Sequence, residues 1–186
     1  YTGDPFNSSG LFWMEKKKNC CFVKRKNMLK ENEETGCCKR FDPTPWQEKE
    51  IQITDRLFVK DQVRSFLHIP LNFGKVMKRN MEKIEKAGAK SIEPVILSDE
   101  HSPWRSNVYI AVEKNVPDSE MVKLSGKYLT KVFEGNYKDM GKWISEMKYY
   151  MATKDKVMKK LYFFYTTCPA CAKAYGKNYT VLLGEI

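Results

Sequence analysis

Six cysteines are the first residues whose chemistry depends on spacing: Cys20, Cys21, Cys37, Cys38, Cys168 and Cys171. Cys168-Pro169-Ala170-Cys171 is a CxxC knuckle, which presents two sulfurs to one ion. Cys37 and Cys38 can complete a structural zinc site with it, with Cys20 and Cys21 in reserve and His68 or His101 as an alternative fourth ligand. Adjacent cysteines make an awkward pair on one metal, so one thiol from a pair is a further arrangement. The competing chemistry is thiol–disulfide exchange, which is favoured at a helix N-terminus, where the thiolate is stabilised. "CPACAKAYGK" has room for one helical turn. A third reading gives the cysteines no shared role. Clustered cysteines in an intracellular chain point to metal or redox chemistry before structural disulfides.

Acids, bases and aromatic rings form the second set. His68 ends a strand-like stretch in the first half, and Glu134 holds a loosely equivalent place in the second. A His–carboxylate pair facing one groove can act as general base on water. The plain alternative is a structural histidine and a solvated glutamate. Trp104, Tyr109, Phe133, Trp143, Tyr162 and Tyr165 are candidate pocket walls, because drug-sized ligands take apolar sites with few polar handles and aromatic walls favour cations. Most such rings serve a core. The tyrosines are stronger candidates, since a buried hydroxyl needs a partner. No GxSxG, Walker, HExxH or GxGxxG motif is present.

The elements that must position these residues follow from periodicity. "EIQITDRLFVKDQVRSFLHI" alternates and is rich in β-branched and aromatic residues, predicting one or two strands. Phe73, Val76, Met77, Met81 and Ile84 recur at helical spacing, predicting a helix over about 72–87. "IEPVIL" and "NVYIAV" read as strands around the turn-rich "SDEHSPWRS". Tyr128 to Phe133 alternate. Met140, Trp143, Ile144, Met147, Tyr150 and Met151 repeat with a helical period over about 137–152. "LYFFYTT" and "YTVLLGEI" close the chain as strands joined by the CxxC loop. The expected class is α+β: duplicated βαββ units, an antiparallel sheet, two main helices on one face and a groove between the halves.

Residues 1–48 are polar and lysine-rich, and read as an N-terminal arm without a core of its own. Met14 before "EKKK" is a natural start, so residues 1–13 are expected to be an appended leader. The domain proper spans 49–186. Lys and Arg number 33 against 23 Asp and Glu, a net charge of +10. No nucleic-acid motif accompanies the excess, so a solvated lysine-rich surface is expected and no specific nucleic-acid binding. No apolar run approaches the roughly 20 residues of a membrane span, and no signal-peptide pattern opens the chain. A cytoplasmic protein without a membrane partner is the expectation.

"SPWRSNVYIAVEKNVPDSEMVKLSGKYLTKVFEGNYKDMGKWISEM" resembles the GyrI-like small-molecule-binding domain, the group that includes effector-binding domains of AraC- and MerR-type regulators. Pro103 and Arg105 before Val108–Val112, Gly126 with Tyr128, and Gly135, Tyr137 and Trp143 carry the resemblance, which spans about residues 50–186. It implies two βαββ modules around a central pocket for bulky, aromatic or cationic compounds, with no cofactor required for binding. Some members hydrolyse reactive ligands through an acid in that pocket. In the family a Glu often lies in the strand after the second helix, near a Tyr. Here that strand reads "KKLYFFYTTCP" and holds no acid. Residues 1–48 offer too little apolar helix for a helix-turn-helix unit, so a stand-alone domain is expected. Three functions follow: small-molecule binding, hydrolysis in the same pocket through His68 or Glu134, or a thiol redox or zinc-stapled protein centred on Cys168 and Cys171.

Overall fold

A computed structural model describes residues 38–66, 69–100 and 102–186. The alternating stretch forms one strand of 18 residues, β1 (Lys49–Phe66). It remains one strand because a bulge absorbs the irregularity. Its pairing register shifts between Ile53 and Arg56, Asp55 sits at φ 47°, and the Asp55 N–H donates to Ser125 Oγ at 2.8 Å. A two-residue return, β2 (Ile69–Pro70), pairs with the end of β1.

Helix α1 (Phe73–Lys86) buries Val76, Asn80 and Ile84, as its period predicts. Strands β3 (Ile96–Asp99), β4 (Arg105–Ala111) and β5 (Glu120–Glu134) follow. A 3-10 turn at Tyr137–Asp139 starts the second helical region, with the Asn136 side chain accepting from the Lys138 N–H at 3.0 Å. Helix α2 (Met140–Ala152) then buries Trp143, Met147, Tyr150 and Met151. Strand β6 (Lys160–Tyr165) and strand β7 (Tyr179–Glu185) end the chain.

Between β6 and β7 the expected loop is a short helix, α3 (Pro169–Tyr175). Proline at the first helical position presets φ, the alanines favour continuation, and Gly176 at φ 69° ends the helix.

Among the described residues every strand pairing is antiparallel. Neighbours run β1-β4-β3-β6-β7-β5, and β5 pairs back to β1, so six strands close into a barrel with β2 as a lip. The order reads the same from either end once β1, β4 and β3 are matched with β5, β7 and β6. The two βαββ halves therefore meet at two seams, β3–β6 and β1–β5.

Alternation sorts the side chains. Val59, Val63, Val108 and Ile110 face outward under α1. Leu129, Phe133, Phe163 and Leu182 face outward under α2. Phe58, Leu97, Tyr109, Tyr128, Tyr162 and Phe164 fill the barrel. Burying each such apolar side chain stabilises by about 1.5–3 kcal/mol relative to exposure.

Candidate functional site

The β3–β6 seam joins the halves through Leu97–Phe164 and Ser98–Phe163. Glu100 follows β3 there, half-buried. Its carboxylate accepts the Tyr137 hydroxyl at 3.1 Å to each oxygen and the Tyr165 hydroxyl at 2.8 Å. The two rings lie 5.7 Å apart, and Tyr165 stacks on Phe163 at 6.2 Å. Burial first, and then the Glu100 charge, raise the pKa of both phenols, that of Tyr165 well above its ordinary value. Both hydroxyls thus stay protonated and donate. The two donors hold the Glu100 carboxylate in one orientation. The same β3–β4 turn carries Trp104, whose carbonyl accepts the Ser65 N–H at 2.7 Å. Trp104 meets Phe66 edge-on at 5.5 Å, and both are about half exposed. The turn thus combines one fixed negative charge with exposed aromatic surface.

A second polar group lies inside one end of the barrel. Lys160 Nζ donates to Asp99 at 2.9 Å and stands 4.8 Å over the Tyr162 ring and 5.7 Å over Tyr109. Desolvation opposes the ammonium charge, but the bonds to Asp99 and Tyr162 outweigh it, and the net pKa shift is upward. Burial, then Tyr162 and Glu185, push Tyr128 up to about 12. This group is satisfied by its own members.

The expected pocket residues therefore fall in three places. Tyr165 is at the seam, with Trp104 on its turn. Tyr109 and Tyr162 point into the barrel, edge-on to each other at 5.7 Å. Phe133 and Trp143 stack at 5.7 Å in the core beneath α2. Glu134 ends β5, exposed, 3.7 Å from Lys177, on an open depression of about 450 Å³ lined also by Pro43, Thr44, Gln47, Val132 and Tyr179. His68 lies outside the described residues, as do Cys37, Cys20, Cys21 and His101. Glu100 was hidden in sequence by the turn signals around it. The signal that could have found it is the duplication, which makes β3 the counterpart of β6 and puts an acid after β3 beside the tyrosines of β6.

The cysteines do come together. The sulfurs of Cys38, Cys168 and Cys171 all lie within 4.8 Å of one another, and the Cys168 N–H donates to Cys38 Sγ at 3.5 Å. The Tyr175 hydroxyl donates to the Cys38 carbonyl, and Arg40 covers the Tyr175 ring at 4.7 Å. Three thiols in one cluster are a donor set that a soft metal accepts. From Cys38 the chain runs across one end of the barrel. Phe41 packs on Phe164 and Tyr179 at 6.1 and 5.8 Å, and Trp46 on Phe164 at 5.4 Å.

The family described as "Bacterial hydrolase" matches residues 28–186. The chain belongs to this family. No curated protein matches this hydrolase-family chain significantly. Among solved structures, an uncharacterized conserved protein from Listeria innocua superimposes with a TM-score of 0.54 at 13% identity, covering 74% of this chain and 91% of that one. SAV2435, bound to tetraphenylphosphonium, gives 0.46 at 14% identity, covering 75% and 93%. The first shares the fold, and the hydrolase-family chain has the expected GyrI-like α+β architecture. Among the described residues no helix is long and apolar enough to cross a membrane.

Proposed function

We propose that this hydrolase-family chain binds a bulky aromatic, cationic small molecule at the β3–β6 seam. One observation carries the reading: the Glu100 carboxylate, fixed by two protonated tyrosines, on a turn whose exposed Trp104 packs on Phe66 at the end of β1. A held carboxylate attracts a cation at no reorganisation cost, and aromatic faces add cation–π attraction. Thermal-shift measurements with tetraphenylphosphonium and neutral triphenylphosphine oxide test it. The cation should stabilise the protein and the neutral compound should not. Glu100→Gln should abolish the shift. A shift that survives in Glu100→Gln sinks the reading.

The family match favours a second, hydrolytic reading of the same site. Glu100 would take a proton from water attacking a reactive ligand, while the two phenols orient the carboxylate. The competing base is Glu134 with His68, at the end of β5. Turnover of p-nitrophenyl esters by Glu100→Gln and Glu134→Gln separates them, because only the variant lacking the base should lose its rate. Equal rates in both variants and the parent exclude both carboxylates. The thiol cluster supports a structural soft metal ion, zinc foremost, with thiol redox chemistry as the alternative.

A further inference from the structure

We infer that metal occupancy of the Cys38–Cys168–Cys171 cluster decides whether residues 38–48 close one end of the barrel. The inference rests on the structural-metal reading above and adds what the metal controls.

Residues 38–48 behave as a strap fixed at two ends. One end continues into β1 at Lys49. The other is held by Cys38 against α3 and by the Tyr175 hydroxyl. Between them the strap has little structure of its own: Trp46 and Gln47 donate back to the Pro43 carbonyl. It sits on the barrel through Phe41 and Trp46, through Thr130 Oγ1 donating to the Trp46 carbonyl at 2.6 Å, and through the Val132 N–H donating to Gln47 Oε1 at 3.0 Å. Under the strap lie Phe164 and Tyr179, an aromatic mouth that the strap's own rings occupy.

The donor set suits a thiolate metal. Zinc–sulfur bonds of about 2.3 Å in a tetrahedron set the sulfurs about 3.8 Å apart, and these three lie within 4.8 Å. Binding displaces one proton from each thiol. Three thiolates on a dication leave one negative charge, and the Arg40 guanidinium on Tyr175 stands on the adjoining residues to offset it. Metal loss leaves the Cys38 end to hydrogen bonds such as those from Tyr175 and the Cys168 N–H. The strap's few contacts must then hold it without a metal tether, and the mouth opens to an apolar ligand.

The test uses the full chain purified without chelator, with metal content by mass spectrometry and amide exchange by NMR. We expect one zinc per chain and loss of tight zinc binding in Cys38→Ser. On stripping, and in Cys38→Ser, the Val132 amide should exchange at least tenfold faster while β4 and α2 amides stay unchanged. Cobalt(II) should give tetrahedral thiolate absorption in the parent and not in the variant. Absence of both zinc and cobalt uptake overturns the metal reading and this inference with it. Metal bound, but Val132 protection unchanged on stripping, overturns this inference alone. Loss of protection throughout the barrel on stripping also overturns it, since the metal would then hold the whole fold. Val132 protection that follows reductant instead of metal assigns the tether to a disulfide and overturns it likewise.

Discussion

α1 and α2 occupy matching places on the two halves, yet they are fastened differently. α1 is moored by a charge network. Arg79 Nε and Nη2 reach Asp61 Oδ2 at 2.9 and 2.7 Å. Asn80, buried, donates to Asp61 at 2.6 Å and back to the Val76 carbonyl at 2.9 Å. Burial pushes the Asp61 carboxyl up, but Arg79, Asn80 and the Gln62 N–H outweigh it, and its pKa falls below 3.8. α2 is held by shape. Trp143 stacks on Phe133, while Met147 and Met151 close over Gly184, where an added Cβ would collide with Met151 Sδ. One topology thus tolerates two kinds of mooring, and the first rests on a carboxylate that titrates in acid.

Three substitutions can break or sharpen that contrast. Trp143→Ala has the largest expected effect, about 3–5 kcal/mol of stability, and urea unfolding at pH 7 and pH 4 should give the same loss. A loss that shrinks at low pH would end the contrast. Asp61→Ala should cost less, about 1–3 kcal/mol at pH 7, by stranding Arg79 and Asn80. The folded-state pKa of Asp61 is depressed, so its contribution is present above the unfolded value near 3.8 and is lost as pH falls through the folded value. The difference between parent and variant should therefore narrow below about pH 4. Glu100→Gln should have the smallest effect on stability, about 1 kcal/mol or less, because the amide oxygen can still accept from the tyrosine hydroxyls. A much larger loss would show that the seam is a fold device and not a binding site.

Both helices were legible because their apolar residues recur on one face, and the outcome differs from expectation by one to three residues at their starts. The duplication was also legible, and the palindromic strand order shows its geometry. Barrel closure was not, since nothing local in "EIQIT" or "GKYLT" says that Lys49 pairs with Thr130. The 18-residue length of β1 was obscured by Asp55, a turn-former that the bulge accommodates. α3 is too short for a helical period to register. At the site, a meeting of the arm's cysteines with the CxxC was one of the arrangements that residue type and spacing offered, and Cys38 is the one the described residues bring there. Glu100 was not, because an acid among turn-formers looks solvated until the two tyrosines are in place.

The β1–β5 seam has a kinetic consequence. Each half can build a three-stranded sheet and dock its own helix from nearby chain, but the ring closes only when β3 meets β6 and, at the other seam, Lys49–Lys60 finds Glu120–Thr130. Such long-range closure costs chain entropy before it is rewarded, so the seam is expected to zip last. Thr130→Ala, which removes the hydroxyl bonds to the Trp46 and Lys49 carbonyls, should then speed unfolding and leave the refolding rate unchanged in stopped-flow measurements. Slower refolding would mean that the ring starts where it was expected to end.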